Sequence, residues 1–334
     1  PAGGRALVDG APLAGGADGG EIAIRAGLHT VEATVPGRVR FFEPVRVEVG
    51  EALTIDVDPP PADAIPPGFV YVPAGRFLYG AAGDEFTRLD FFGTAPLHPR
   101  TTGEYAIAIY EVTWAEWLAF VEAQPEARRA RLLPPDQDRI NGRVTVTRDR
   151  GRWRLTLSAT DTVHTALWGE PFRYAERPHR RDQDWSRFPA IGVRPDAAEA
   201  YAAWLDRSGR LPGARLCRED EWERAARGAD DRVTPNGRRL EGDDANLDIT
   251  YTELSERGPD EVGSHPRSRS PFGLEDVVGN AFEITHGLRA GTYVTRGGTY
   301  FHDRKTACLP NRQVVTPDLA DPSTGLRLCL TVRR

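Results

Sequence analysis

Hydrophobic and polar residues alternate along the first 58 residues, in short runs that glycine-containing turns separate. The alternation is regular in the runs EIAIRAG (21–27), VRVEVG (45–50) and LTIDVDP (53–59). A period of two puts every second side chain on the same face of a β-strand. The pattern therefore predicts a small antiparallel β-domain over residues 1–58 with one buried face.

The segment PPPADAIPPG (59–68) contains five prolines and interrupts this alternation. Proline-rich segments favour an extended, semi-rigid conformation, so we predict a linker here. From Phe69 onward the pattern is mixed. FVYVPAGRFLYG (69–80) predicts a hairpin, and YAIAIYEV (105–112) predicts a further strand. A second domain is therefore expected over residues 69–334.

Three helices are predicted in the second domain from their start and stop signals. Thr113 and Glu116 form a capping box before an apolar stripe that Pro125 ends. A second helix starts at Pro195, and a third has acidic residues in its first turn and ends at Gly228. Their tryptophans recur at helical spacing, which is typical of core positions.

Residues 125–187 form a long insert between the first and second predicted helices. VTVTRDRGRWRLTLS (144–158) predicts a hairpin with a polar turn at 149–151, and the remainder, which includes Trp168 and Trp185, is predicted to be irregular. Long irregular segments in compact domains are often functional, and an insertion without a function is the alternative. Both interpretations stay open.

The composition is that of a globular protein. The 334 residues are 40% hydrophobic, which is enough to bury the cores of roughly two domains. The formal net charge is −6 and basic residues are mixed with acidic ones, so nucleic acid is not an expected partner. No run approaches the roughly 18 apolar residues of a membrane span, and the N-terminus shows no signal pattern.

The chain contains no methionine and begins with Pro1, so we expect it to be part of a longer multidomain parent. Its three cysteines, Cys217, Cys308 and Cys329, are too few for a disulfide framework or a zinc site. A Cys308–Cys329 bridge stays open, but buried free thiols are the expectation. The few cysteines and the missing signal favour the cytoplasm.

Seven segments of the second domain carry a resemblance to a known family. They are GFVYVPAGRFLYG, EVTWAEWLAF, PAIGVRPDAAEAYAAWL, ARLCREDEWERAARG, DDANLD, VGSHPRSRSPFGLEDVVGNAFEI, and VTRGGTYF with the later GLRL. In this order they resemble the segments of the formylglycine-generating enzyme (sulfatase-modifying factor) family, over about residues 67–332. The resemblance implies an α+β, C-type-lectin-like fold with little regular secondary structure. Residues 1–58, with the turn VDGAPL, resemble a PEGA-type all-β sandwich module.

The family's enzymes oxidise a cysteine of sulfatase substrates to formylglycine, with copper held by two cysteines after the RGG motif. Copper(I) prefers soft thiolate ligands, which explains the pair. The resemblance puts His302 and Ala307 at these two positions, and Cys308 comes one residue late. A shift of one residue turns a strand side chain to the opposite face. Copper is therefore not expected, and a mixed His302–Cys308 site has too few ligands.

The resemblance also implies structural calcium. A first site would use the Asp276 and Glu283 carboxylates with the backbone carbonyls of Gly279 and Ala281. Oxygen donors from a tight loop suit this hard cation. The alternative is that the two acids cap a loop without a metal.

A second calcium position of the family corresponds to Asn246 and the Leu247 carbonyl, and its acidic ligand stays open between Asp248 and Asp260.

The changed copper positions predict a non-catalytic module that binds an unknown protein, peptide or small-molecule ligand, because site residues decide function more than fold does. The residues expected to bind are Tyr300, His302, Asp303, Arg304, Asn311, Arg312, Trp168 and Trp185. Arginine and aromatic side chains suit such contacts. The module resembles the variable proteins that diversity-generating retroelements produce, and the sensor parts of larger bacterial proteins such as serine/threonine kinases.

The alternative function is an oxidoreductase of the formylglycine-generating type that acts on peptide cysteine, with Cys308 or Cys217 as the reactive thiol. A helix N-terminus follows Cys217 and would favour a thiolate, but the acidic residues 219–221 oppose it. Iron chemistry of the sulfoxide-synthase type would need a His-rich helical domain, and none precedes this module.

Overall fold

The computed structural model describes residues 4–13, 20–91, 93–139, 142–159 and 162–334. The N-terminal part contains one four-stranded antiparallel sheet in the order β2-β1-β3-β4. Its strands are β1 Arg5–Val8, β2 Ala11–Pro12, β3 Gly27–Thr34 and β4 Phe41–Val47. The predicted antiparallel β-structure is therefore present in this part of the chain.

Two of the predicted N-terminal strands do not form. Residues 21–25 and 53–58 are described by the structure but pair with no strand. The side chains of Ile55 and Val57 nevertheless pack beside Phe41. The alternation predicted the inward side of Ile55 and Val57, but Ile22, Ile24 and Leu53 are exposed because no strand pairs with these runs.

The remaining regular elements of the described ranges are short strands and four α-helices, with a few single turns of 3-10 or π-helix between them. In chain order they are β5 Phe69–Val72, β6 Gly75–Tyr79, β7 His98–Thr102, β8 Tyr105–Ala108, α1 Trp114–Glu122, α2 Glu126–Leu132, β9 Arg143–Asp149, β10 Arg152–Ala159, β11 Thr162–Leu167, β12 Phe172–Arg173, β13 Asp182–Gln183, α3 Pro195–Arg207, β14 Ala214–Leu216, α4 Glu219–Arg227, β15 Phe282–His286, β16 Tyr293–Arg296, β17 Arg312–Val315, β18 Thr324–Leu326 and β19 Leu328–Leu330. None of the helices in the described ranges is long and apolar enough to cross a membrane.

Two four-stranded sheets form the framework of the second domain. Their strand orders are β14-β19-β8-β5 and β17-β16-β15-β18. The predicted hairpin over residues 69–80 is wrong, because β5 pairs with β8 and β6 pairs with β7. Two apolar runs on either side of a turn are expected both for a hairpin and for two strands of different sheets, so the local pattern could not distinguish these arrangements.

The helix boundaries follow the local signals. The Thr113 hydroxyl accepts a hydrogen bond from the Glu116 backbone N–H, and the Glu116 carboxylate accepts one from the Thr113 N–H (2.7 Å). α3 begins at Pro195, and α4 ends before Gly228, whose φ is +81°. The three predicted helices are confirmed. α1 ends at Glu122, and Pro125 caps the short α2 instead of ending α1.

The insert is integrated into the main core. Strands β9, β10 and β11 form one antiparallel sheet, which confirms the hairpin over 144–158 and extends it by a strand. Leu155 of this sheet and Trp185 are fully buried in the same cluster as Trp114. Residues 125–187 therefore contribute to the hydrophobic core, although part of the segment was predicted to be irregular.

A disulfide joins Cys217 to Cys329, with 4.9 Å between the Cα atoms. Antiparallel pairing of β14 with β19 brings the two cysteines together, since Leu216 lies opposite Leu328. The expectation of free thiols is wrong at these two positions, and a Cys308–Cys329 bridge is excluded. The sequence could not show this, because the pairing joins strands that lie more than 100 residues apart.

The N-terminal sheet packs against the second domain. The rings of Phe42 and Phe272 meet edge to face, with centroids 5.8 Å apart. Beside them, the Glu43 carboxylate pairs with the Arg224 guanidinium at 3.0 Å, and both side chains are buried. A Cβ atom at Gly75 would overlap this ion pair, so a larger residue there would have to displace the two side chains. The boundaries at 1–58, 59–68 and 69–334 remain predictions.

Candidate functional site

The loop that follows β16 folds back onto a pair of glycines. Gly297 and Gly298 adopt φ values of +91° and +77°, which favour glycine. A Cβ atom at Gly298 would lie 2.6 Å from both the Cα and the Cβ of Ala307. Ala307 is fully buried by this contact. One of the two positions that carry copper ligands in the family thus holds a methyl group against the glycine backbone.

His302 occupies the other position as a half-buried, neutral side chain. The Thr299 backbone N–H donates to its Nδ1 at 3.1 Å, so Nδ1 carries no proton and Nε2 does. Burial lowers the pKa of His302, although neighbouring acids act in the opposite direction. Its ring lies 4.9 Å from the ring of Phe282. The histidine can therefore donate one hydrogen bond from Nε2.

Cys308 is not positioned for thiol chemistry. Its side chain is buried against Ala81. Burial raises the pKa of the thiol to about 12, and the nearby guanidinium groups of Arg227 and Arg296 offset this only in part. A thiol with this pKa is protonated at neutral pH, and the thiolate is the reactive and metal-binding form. The donor set at His302, Ala307 and Cys308 does not fit copper.

The carboxylate of Glu283 is already surrounded by donors. It accepts hydrogen bonds from Trp222 Nε1 (2.6 Å) and from the Arg327 guanidinium (2.7 and 2.9 Å). Asp276 is buried, has a φ of +56°, and accepts from the Gly263 N–H at 2.5 Å. Burial raises the pKa of Asp276. A calcium site built from Asp276, Glu283 and the carbonyls of residues 279 and 281 stays a prediction.

The residues of the second calcium position have protein partners only in part, because Asn246 Oδ1 and Asp248 Oδ1 are buried without a hydrogen-bond partner among the described residues. Asn246 Nδ2 donates to the Gly258 carbonyl (2.9 Å) and to Asn280 Oδ1 (3.1 Å). The Leu247 carbonyl accepts from the Thr250 N–H at 3.0 Å. Asp260 lies next to them and is fully buried among donors. Although burial raises its pKa, the bonds from His265 and Arg177 hold the pKa of Asp260 below its usual range.

Several residues predicted to bind a ligand belong to the interior. Tyr300 and Trp185 are core residues, so their rings cannot contact a ligand. Asn311 is also buried and donates to the Thr306 carbonyl. Arg312 forms a two-bond ion pair with Glu219 at 2.8 and 3.0 Å. Tertiary contacts determine which side chains after the glycine pair point into the interior, and the sequence did not show these contacts.

Trp168 lies apart from this loop. It is half-buried and its ring meets the ring of Trp185 at 5.0 Å. With Trp153 it lines a shallow groove of about 390 Å³ between α1 and the β9–β10 hairpin. The structure therefore does not bring Trp168 together with Asp303 and Arg304.

Asp303 and Arg304 line an open groove of about 780 Å³. Residues of the segment 231–240 and of the loop 303–305 form its walls, and residues 248–249 also line it. Five cationic and three acidic side chains line it: Arg232, Arg238, Arg239, Arg304 and Lys305, with Asp231, Asp248 and Asp303. The Arg238 and Arg239 contributions were missed, because an irregular polar segment carries no periodic signal.

The fold is that of a lectin-like formylglycine-generating-enzyme scaffold. The two positions after the glycine pair that carry thiolates in that family are His302 and Ala307 here. Residues 56–332 match the family model described as "Sulfatase-modifying factor enzyme 1-like domain", and the chain belongs to this family. The expected α+β fold of the formylglycine-generating-enzyme type is confirmed.

Two relatives illustrate the range of the family. The protein named "Inactive C-alpha-formylglycine-generating enzyme 2" from Bos taurus is 27% identical over 281 residues, which cover 77% of this chain and 86% of the relative. The "Formylglycine-generating enzyme" of Mycobacterium tuberculosis is 29% identical over 243 residues, covering 65% of this chain and 72% of that protein. The chain is thus similar both to a protein named as inactive and to a protein named as an enzyme.

Two solved structures share the fold. PvdO from Pseudomonas aeruginosa superposes with a TM-score of 0.52 at 22% identity, over 78% of this chain and 93% of that one. Treponema denticola variable protein 1 gives a TM-score of 0.50 at 15% identity, over 78% and 94%. At these identities the likeness concerns the fold alone.

Proposed function

We propose that residues 69–334 form a non-catalytic binding module whose site is the groove between segment 231–240 and loop 303–305. One observation carries the proposal: the two positions behind Gly298 that hold thiolates in the family hold a neutral imidazole and a buried methyl group. The remaining thiol nearby, Cys308, is buried and protonated at neutral pH. The similarity to proteins named "Inactive C-alpha-formylglycine-generating enzyme 2" supports the same conclusion.

The groove suits a peptide segment that carries carboxylates. Arg239 and Arg304 both pair with the Glu241 carboxylate, at 3.3 and 3.4 Å, so one negative charge faces two guanidinium groups. Arg238 is exposed and forms no ion pair with any described residue. Guanidinium groups bind carboxylates through two parallel hydrogen bonds. Val233 is 54% exposed and offers an apolar contact at the same wall.

A phage-displayed peptide library, panned on the immobilised protein, tests this site. Enriched peptides should contain aspartate or glutamate. Their affinity should fall about tenfold or more in an Arg238→Glu/Arg304→Glu variant, because two attractive contacts become repulsive. Arg128→Glu is the matched control, since Arg128 is an exposed arginine on α2 away from the groove. Enriched peptides that bind the double variant as well as the wild type would refute the groove as the site.

The catalytic alternative, an oxidoreductase that acts on peptide cysteine, has a direct test. The protein is incubated with copper and with a cysteine-containing sulfatase-type peptide, and mass spectrometry follows aldehyde formation. We expect the peptide to remain unchanged, because no pair of thiolates is available to hold the metal. Turnover that depends on Cys308 would overturn the non-catalytic proposal.

Two special forms of the binding module make separate predictions. A retroelement-diversified protein would have a near-duplicate repeat beside its gene, with substitutions confined to codons near 299–315. A sensor part of a larger bacterial protein, such as a serine/threonine kinase, would transmit ligand binding through the N-terminal sheet, where Glu43 and Arg224 join the two parts. In the sensor form, we propose that residues 1–58 are a PEGA-type module.

A further inference from the structure

The insert 125–187 contributes one fully buried positive charge to the rest of the domain. The side chain of Arg177 is inaccessible to solvent. Its guanidinium carbon lies 3.3 Å from the ring centre of Tyr174 and 3.7 Å from that of Tyr251. Both aromatic faces attract a cation, and the attraction is stronger when water is excluded.

Oxygen atoms surround this guanidinium on its edge. Nε donates to the Glu256 carbonyl at 2.8 Å, and Nη2 donates to the Gly258 carbonyl at 3.2 Å. Nη1 donates to Asp260 Oδ1 at 2.6 Å. Two backbone carbonyls and one carboxylate are the kind of oxygen ligands that a protein loop offers to a calcium ion.

The Asp260 carboxylate has no acceptor capacity left for a metal ion. Besides Arg177, Oδ1 accepts from Gln183 Nε2 at 2.9 Å. Oδ2 accepts from the Tyr251 hydroxyl at 2.8 Å and from His265 Nε2 at 2.9 Å. Four donors fill the roughly four lone-pair positions of a carboxylate. Asp260 therefore does not fit the role of calcium ligand at the second position.

We infer that Arg177 supplies the positive charge that calcium would supply at the second position of the family. The insert thereby provides an internal cation, and the loop of residues 246–260 holds its shape without a metal ion. This assigns a role to the insert that is independent of the proposed binding function. It leaves the predicted first site at Asp276 unaffected.

The calcium content of the protein tests the inference. Wild-type protein and an Asn246→Ala variant are equilibrated with calcium, passed through a desalting column, and measured by elemental mass spectrometry. Calcium per chain should be the same in both, because Arg177 then supplies the charge of this position and the unpartnered Asn246 Oδ1 binds no ion. Loss of one calcium per chain in the variant would overturn the inference, whatever number the wild type binds.

Substitution of the arginine gives the complementary measurement. Arg177→Gln should lower the unfolding temperature, and millimolar calcium should restore part of the loss, since the vacated carbonyls and Asp260 can then bind the ion. Arg177→Lys keeps the charge and should show a smaller calcium effect. A calcium response of Arg177→Gln no larger than that of the wild type would count against the inference. If Arg177→Gln does not fold, the comparison of wild type with Asn246→Ala decides alone.

Discussion

Removing the Cys217–Cys329 disulfide should cost a large part of the stability of the domain. The two cysteines are 112 residues apart, and a cross-link of this span restricts the unfolded chain. The chain-entropy relation gives about 16 cal/mol/K for such a loop, or about 5 kcal/mol at 25 °C. In a domain of this size each kcal/mol shifts the unfolding temperature by roughly 2–4 °C. A Cys217→Ala/Cys329→Ala variant should therefore unfold roughly 10–20 °C below the wild type.

Thermal unfolding under non-reducing conditions measures this difference, and peptide mapping after alkylation shows whether the bridge is present. Cys308→Ala is the control, because Cys308 is buried but forms no bridge. If the wild type yields alkylated Cys217 and Cys329, or if the double variant unfolds within a few degrees of it, the reasoning fails. A confirmed bridge would also favour an oxidising compartment over the cytoplasm that the cysteine count suggested.

Three further predictions concern single side chains. Burial raises the pKa of Glu43 to about 7 from 4.5 although Arg224 acts in the opposite direction, so the buried ion pair forms fully only above this pH. Between these pH values the folded state holds a proton that the unfolded state releases, and stability should fall as pH rises through this window. In Glu43→Gln the fall in unfolding free energy between pH 5 and pH 8, measured by urea unfolding, should be smaller by roughly 1–3 kcal/mol. A fall as large as in the wild type would contradict the raised pKa of Glu43. Cys308 should resist iodoacetamide at neutral pH in the folded protein and react in denaturant, because its thiol is buried and protonated; rapid labelling without denaturant would revive the oxidoreductase alternative. Gly298→Ala should cost about 2 kcal/mol more than Gly291→Ala, since both have positive φ but only the first meets the backbone of Ala307, and equal losses would show that the loop moves away freely.

Features that depend on neighbouring residues could be predicted from the sequence. The Thr113–Glu116 capping box and the stop at Gly228 are determined within one helical turn, and both are found where the sequence predicts them. The turn at 149–151 is equally local, and the hairpin around it forms. Local hydrogen bonding and backbone preference suffice in such cases.

Features that depend on distant partners could not be predicted in the same way. β5 takes its partner from β8, more than 30 residues on, and the hairpin interpretation of 69–80 fails for that reason. The residues predicted to bind a ligand show the same limit. Tyr300 and Asp303 are three positions apart, yet one lies in the core and the other in solvent, because the loop is folded by contacts with the glycine pair and Ala307.

Backbone hydrogen bonds hold both walls of the groove, and this has a consequence for how the protein can change. The Leu309 N–H donates to the Val233 carbonyl, and the Ala307 N–H donates to the Asp303 carbonyl, each at 2.9 Å. These bonds do not depend on which side chains stand at Arg238 or Lys305, both of which are exposed. Substitutions at such positions can therefore change the charge and shape of the groove at little thermodynamic penalty, while the architecture of both walls persists.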